Sequence, residues 1–207
     1  FGGEDADGRT LGDVWLFDAA RTAWQQPVHS SSEPRCWHTA TFVPERRVLI
    51  TFGGERRDAD GSSDLLNDLK VLETELMLWY DPQVSGPAPA PRSGHTASLV
   101  GTDIVYFGGA RRRKWTSDVV VLDTRAWKWV KPKISGRPPT PRVYHSATVV
   151  GDRIVVFGGN DETRSFNDVH VLDMSTQPWQ WEQPCVVGTP PAPRTGHTAA
   201  AVGAGMV

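Results

Sequence analysis

Four arginines and four histidines recur at one phase of this chain, and they are the side chains with the most chemistry to offer. The sequence reads Pro34-Arg35-Cys36-Trp37-His38, Pro91-Arg92-Ser93-Gly94-His95, Pro141-Arg142-Val143-Tyr144-His145 and Pro193-Arg194-Thr195-Gly196-His197. Imidazoles can hold zinc if their nitrogens converge tetrahedrally at about 2.0–2.1 Å from the ion. Guanidiniums can fork onto carboxylates or phosphates. A third candidate occurs once only. Arg111, Arg112, Arg113 and Lys114, followed by Trp115, form the densest charge run. A basic run beside an aromatic can meet an acidic protein, a phosphate or a nucleic acid.

What positions these groups is a repeat. Phe1-Gly2-Gly3, Phe52-Gly53-Gly54, Phe107-Gly108-Gly109 and Phe157-Gly158-Gly159 keep step with the Pro-Arg-x-x-His segments, as do Trp24, Trp79, Trp127 and Trp179. Self-similarity at a period of about fifty residues fixes an architecture before any local signal does. It also argues against catalysis, because a residue present in every repeat is needed to build the repeat.

The unit from Arg142 to Pro193 shows the parts. His145 to Val150 is rich in β-branched residues, and Gly151-Asp152-Arg153 is a turn. Ile154 to Phe157 is apolar throughout, so that strand must be covered on both faces. Asp168 to Asp173 alternates with period two, and Trp179 and Trp181 share one face of a last strand. These are four short strands with no helical periodicity. A four-stranded sheet repeated radially, each blade stacked on the next, buries such strands: a β-propeller. The glycine pairs end the buried strand where positive φ or close backbone approach excludes a Cβ. On this reading Gly86, in a proline-rich crossing, tolerates valine better than Gly108 or Gly158. The tryptophans supply apolar area on the outermost strand, between blades.

Phe-Gly-Gly, an Asn/Ser-Asp-hydrophobic strand, Trp and Pro-Arg-x-x-His together resemble the kelch repeat, over essentially the whole chain. The departures are Cys36-Trp37 in place of a small residue and glycine, Tyr80 directly after Trp79, and a longer loop from Glu55 to Leu66. The resemblance implies an all-β, kelch-type β-propeller of four-stranded antiparallel blades. The segments are a partial blade at 1–33, full repeats at 34–90, 91–140 and 141–192, and a partial blade at 193–207. Either the end strands join to close four blades, or the chain is a window from a longer ring. The second reading is preferred, since an open ring leaves exposed sheet edges. Kelch adaptors commonly take ligands on the face where the Pro-Arg loops emerge, so Arg35, Arg92, Arg142 and Arg194 are candidate partner contacts. Their alternative is pairing with carbonyls or acids of their own domain. Arg111, Arg112, Arg113, Lys114 and Trp115 are the second set of candidate contacts.

His38, His95, His145 and His197 are expected to be structural. Inner strands of separate blades lie roughly 10 Å apart, too far for four imidazoles to share one ion. No cofactor, metal or catalytic residue is nominated. Some enzymes with kelch-like propellers place Tyr, Cys and His around copper, but here the tyrosines are only Tyr80, Tyr106 and Tyr144. Net charge is −2, which gives no global pull toward nucleic acid or membrane. Two cysteines, Cys36 and Cys185, make no disulfide framework and favour a reducing compartment. The function expected is a non-catalytic, cytoplasmic adaptor for protein partners, acidic ones included, within a larger assembly. An enzyme with a site in the channel or on the loop face is the alternative. Both the loops after the second strand (55–66, 110–117, 160–167) and the crossings (25–34, 81–91, 131–141, 182–193) should emerge at one end.

Overall fold

The computed structural model describes residues 1–28, 31–58, 61–112 and 114–207. Arg113, one of the expected contacts, lies outside the described residues. The chain divides into two compact units, Phe1–Gln83 with Pro91–Ser93, and Val84–Ala90 with Gly94–Val207.

The first unit opens with a hairpin of β1 (Leu16–Asp18) and β2 (Ala23–Gln25). Then come β3 (Thr39–Val43), a 3-10 turn at Pro44–Arg46, β4 (Val48–Phe52), β5 (Glu55–Arg57), β6 (Ser63–Leu65), β7 (Leu69–Glu73) and β8 (Leu78–Tyr80). Strands β3, β4, β7 and β8 form a four-stranded antiparallel meander, while β5 and β6 make a hairpin of their own. The apolar run in β4 behaves as its composition requires. Val48, Ile50, Thr51 and Phe52 are all buried, so both faces of the strand are covered.

The second unit holds β9 (Thr96–Val100), β10 (Asp103–Phe107), β11 (Ala110–Arg111), β12 (Lys114–Trp115), β13 (Val119–Asp123) and β14 (Lys128–Val130). It continues with β15 (Ile134–Gly136), β16 (Ser146–Val150), β17 (Arg153–Phe157), β18 (Val169–Asp173), β19 (Trp179–Glu182), β20 (Ala201–Val202) and β21 (Gly205–Met206). One blade is β9-β10-β13-β14, with β11-β12 as its separate hairpin. The next is β16-β17-β18-β19, and β20 pairs with β21. The core lies between these two blades. Val105, Phe107, Val119 and Val121 from one meet Ile154, Val156, Leu172 and Trp181 from the other. Each such side chain contributes about 1.5–3 kcal/mol through burial.

Three expectations change. First, the blade ending in β19 has five strands. Residues 134–136 of the preceding crossing run parallel to β19, pairing Ile134 with Trp179 and Gly136 with Trp181. Ser85 bridges Lys128 in the same parallel sense. The crossings therefore cover the outer edge of the following blade instead of standing entirely as presented loops. That is one way a sheet hides its unpaired edge. The segment Val84-Ser85-Gly86, Ile134-Ser135-Gly136 and Val186-Val187-Gly188 is a repeat in its own right.

Second, Gly86 is not a tolerant position. It has φ +83°, and an added Cβ would lie 2.4 Å from the Trp129 carbonyl oxygen. Gly108, with φ +71°, would meet His145 Cε1 at 2.8 Å and the Arg142 oxygen at 2.9 Å. Both are closed to any side chain, one by the fifth-strand pairing and the other by the next blade's histidine.

Third, two of the four repeating tryptophans, Trp127 and Trp179, stand out of register with the other two. Trp24 faces Phe17 and Trp79 faces Leu72, but Leu122 faces Trp129 and Leu172 faces Trp181. Trp127 lies in the turn before β14 with φ +47°. Trp129 and Trp181 are buried, and Trp181 stacks 5.1 Å from Phe107. In the first unit Trp79 lies 4.6 Å from Phe1. Trp24 is exposed.

Candidate interaction face

Three of the four recurring arginines are buried, which leaves those three no surface to offer a partner. Arg35, Arg92 and Arg142 have no exposed surface; only Arg194 is exposed. Arg35 donates through NH1 and NH2 to the two oxygens of Asp68 at 2.9 and 2.8 Å, and through NH1 to the Gly53 carbonyl at 3.2 Å. Arg142 repeats the pattern onto Asp168 at 2.6 and 2.9 Å, and onto the Gly158 carbonyl at 2.8 Å. Its guanidinium also lies 4.2 Å over the Phe166 ring. The fork geometry suits arginine and no other cation. Asp68 and Asp168 went unnoticed as partners, although an aspartate recurs there after Asn67 and Asn167.

The backbone of the same residue ties one blade to the next. Gly3 N–H donates to the Arg35 carbonyl, Gly54 to Arg92, Gly109 to Arg142 and Gly159 to Arg194, at 2.8–2.9 Å. The arginine N–H groups of Arg35, Arg92, Arg142 and Arg194 donate to the carbonyls of Leu11, Leu66, Thr116 and Phe166. Each arginine thus holds the second glycine of one Phe-Gly-Gly by its main chain. In Arg35 and Arg142 the side chain holds the carbonyl of the first glycine of the next.

Burial alone would raise the Asp68 carboxyl, yet the hydrogen bonds and charge of Arg35, with the charge of Lys70, together outweigh it and the group lies below its ordinary range. Asp168 shows the same balance more strongly, with burial opposed by Arg142 and by His170, whose Nε2 is 3.0 Å away.

The histidines are seam residues by their geometry. His145 Nε2 lies 2.9 Å from Thr96 Oγ1 on β9, and His197 Nε2 lies 3.0 Å from Ser146 Oγ on β16. Their rings meet Phe107 and Phe157 edge-on at 5.0 and 5.4 Å, and His38 meets Phe1 at 5.2 Å. Burial pushes His145 down to about 3 and His38 down to about 4. They are therefore neutral rings at neutral pH. Among the described residues no group of three or more His, Cys, Asp or Glu side chains could hold a metal ion.

A pocket of about 350 Å³ in the second unit is lined by Phe157, Asp168, Val169, Pro184, Val186 and Pro190, among others. Beside Phe107 the corresponding space is filled by Trp181 and edged by Ile134–Gly136.

Beside two of the buried arginines a short hairpin is fastened. In the first unit, Cys36 and Glu55 exchange backbone hydrogen bonds at 2.8–2.9 Å, which fastens β5-β6 beside Arg35. In the second, Thr116 N–H donates to Gly109 O at 2.9 Å and fastens β11-β12 beside Arg142. Arg111 is half-buried and pairs with Asp118, while Arg112 and Lys114 are exposed and Trp115 is half-buried. Among its described residues the basic run therefore separates into one half-buried, paired cation and two exposed ones.

The whole chain, residues 1–207, matches the family model described as the KLHDC2/KLHL20/DRC7 Kelch-repeats domain. The chain belongs to the kelch-repeat family. It is similar to the Rab9 effector protein with kelch motifs of Bos taurus, 35% identical over 114 residues, covering 54% of this chain and 29% of that protein. Dynein regulatory complex subunit 7 of Chlamydomonas reinhardtii is 37% identical over 112 residues, covering 53% and 9%. Acyl-CoA-binding domain-containing protein 5 of Arabidopsis thaliana is 32% identical over 119 residues, covering 56% and 17%. The match to these relatives spans less than a third of their length. The solved structure of YjhT superposes with a TM-score of 0.75 at 15% identity, covering 99% of this chain and 69% of that one. The fold is thus the all-β kelch-type propeller of four-stranded antiparallel blades. No helix among the described residues is long and apolar enough to cross a membrane.

Proposed function

We propose that this kelch chain is a non-catalytic protein-interaction module. It presents the hairpin end of its blades to a protein partner within a larger, cytoplasmic assembly. The ring it belongs to is read as longer than the blades seen here. The observation that carries the reading is the burial of Arg35, Arg92 and Arg142. The repeated phase of the sequence is consumed in holding the blades, so whatever distinguishes this chain lies in the hairpins mounted on them. Rigid elements that carry varied loops are the usual arrangement for recognition. The relatives named as a Rab9 effector and a dynein regulatory complex subunit agree with a role among proteins.

The test is affinity purification of the protein beside a variant in which residues 55–65 and 110–115 are replaced by short turns. Proteins that co-purify with the first and are lost from the second, while circular dichroism and melting stay the same, support the reading. Equal capture by both places the contact elsewhere. Turnover of a substrate by the purified chain would replace the reading with an enzymatic one.

A further inference from the structure

We infer that the β11-β12 hairpin is a docking prong for an acidic protein segment, with Arg112 and Lys114 as its contacts. This rests on the interaction-module reading and names the partner's chemistry. The argument comes from how differently the charges of equivalent elements are spent. In β5-β6, Arg56 lies 3.2 Å from Asp64 and 3.7 Å from Asp58, and Arg57 lies 2.9 Å from both Glu55 and Glu4. That hairpin neutralises itself. In the turn that follows Gly159, the Asp161 carboxylate accepts from the amides of Thr163 and Arg164 at 2.7 and 2.9 Å. In β11-β12 only Arg111 is answered, by Asp118. Arg112 and Lys114 are exposed, and among the described residues no carboxylate lies within ion-pairing distance of either.

The prong is also held in place. Its strands pair Ala110 with Trp115 and Arg111 with Lys114. Arg112 sits at φ +50°, a left-handed conformation that a non-glycine side chain adopts only at a cost. Trp115, paired with Ala110 at the base of the hairpin, is half-buried. Two exposed cations on a chain of net charge −2 suit a short acidic stretch of protein. Nucleic-acid binding draws on many phosphate contacts and would need a wider positive footprint.

The experiment measures binding of the full chain to a fluorescein-labelled oligoglutamate peptide, and to an oligothymidylate of the same charge, at low and moderate salt. The variants are R112S/K114S and, as a control for net charge, R125S/K128S, the first in the turn between β13 and β14 and the second at the start of β14. The expected result is peptide binding that weakens as salt shortens the Debye length from about 30 Å at 0.01 M to about 10 Å at 0.1 M. R112S/K114S should lose about tenfold, with R125S/K128S close to the parent. Equal losses in the two variants, no peptide binding, or tighter binding of the oligothymidylate would each overturn the proposal. Co-purification from a lysate separates the two levels. Proteins retained equally by the parent and by R112S/K114S remove the prong but leave the module, whereas capture of none by the parent removes the module.

Discussion

At the scale of single residues, the buried guanidinium is the costly element of this design. Arg142 is desolvated, and Asp168 with the Gly158 carbonyl satisfies it. Asp168→Asn removes the countercharge and leaves the cation buried. It is expected to destabilise by about 3–5 kcal/mol in urea denaturation, whereas Arg194→Ser, at an exposed arginine, should change little. Similar midpoints for the two variants would contradict the rivet. The histidines make a second residue-scale prediction. His145 and His38 are held neutral, down to about 3 and about 4. The unfolded chain takes up protons from about pH 6.5 downward, and the folded chain does not. Stability is therefore complete above that pH and is lost at about 1.4 kcal/mol per pH unit for each such ring as pH falls toward the folded values. Below about pH 4 the loss of the Asp68 and Asp168 carboxylates adds to it, because their folded values lie below the unfolded one. Melting temperature followed from pH 8 to pH 3 checks the sign; a flat profile between 6.5 and 4.5 would exclude the histidine contribution.

At the scale of the element, the parallel fifth strand turns the crossings into part of the blade. Gly136 would place a Cβ 2.3 Å from the Trp181 carbonyl, as Gly86 would at 2.4 Å from that of Trp129. Gly86→Ala and Gly136→Ala are each expected to cost about 1–3 kcal/mol, as much as Gly108→Ala. At Gly203 an added Cβ meets nothing within 4 Å, and the cost there should be only that of the positive φ. Thermal melts of the four variants decide between this ranking and the one in which crossing glycines are tolerant. The tryptophans give a related contrast. Trp129 is buried opposite Leu122, and its replacement by alanine should cost about 3–5 kcal/mol. Trp127→Ala, in the turn, should cost clearly less. The repeat phase located both indoles of the Trp-x-Trp pair, but phase does not say which one faces inward. Turn length does, and the turn before Trp181 is longer than the turn before Trp129.

At the scale of the whole molecule, blade stacking draws on bonds that cross from strand to strand. His145 and His197 direct their Nε2 atoms at hydroxyls of neighbouring inner strands. Extended dialysis against chelator is thus expected to leave the melting temperature unchanged. A drop reversed by added zinc or copper would reassign the histidines as ligands and return the channel to enzymology.

The sequence by itself determined the period, the class of fold and the four strands of each blade, while the parallel fifth strand and the hairpins within the loops 55–66 and 110–117 came only with the structure. A fifty-residue repeat of short apolar and alternating runs, punctuated by glycine pairs, has few ways to bury itself. It also separated the residues that repeat from Arg111, Arg112 and Lys114, which do not. Only the tertiary structure decided what the repeating residues touch. The partners of Arg142 lie across the blade at Gly158 and Asp168, and the partner of His145 lies in the preceding blade at Thr96. An exposed arginine ready for a ligand and a buried one satisfied at home are the same letter at the same phase. What distinguishes them is desolvation, which depends on every chain segment that closes over the site and is therefore invisible to a local pattern. The same holds for Gly86. Its strain comes from a parallel pairing with a strand more than forty residues on, and nothing in the proline-rich segment around it announces that neighbour.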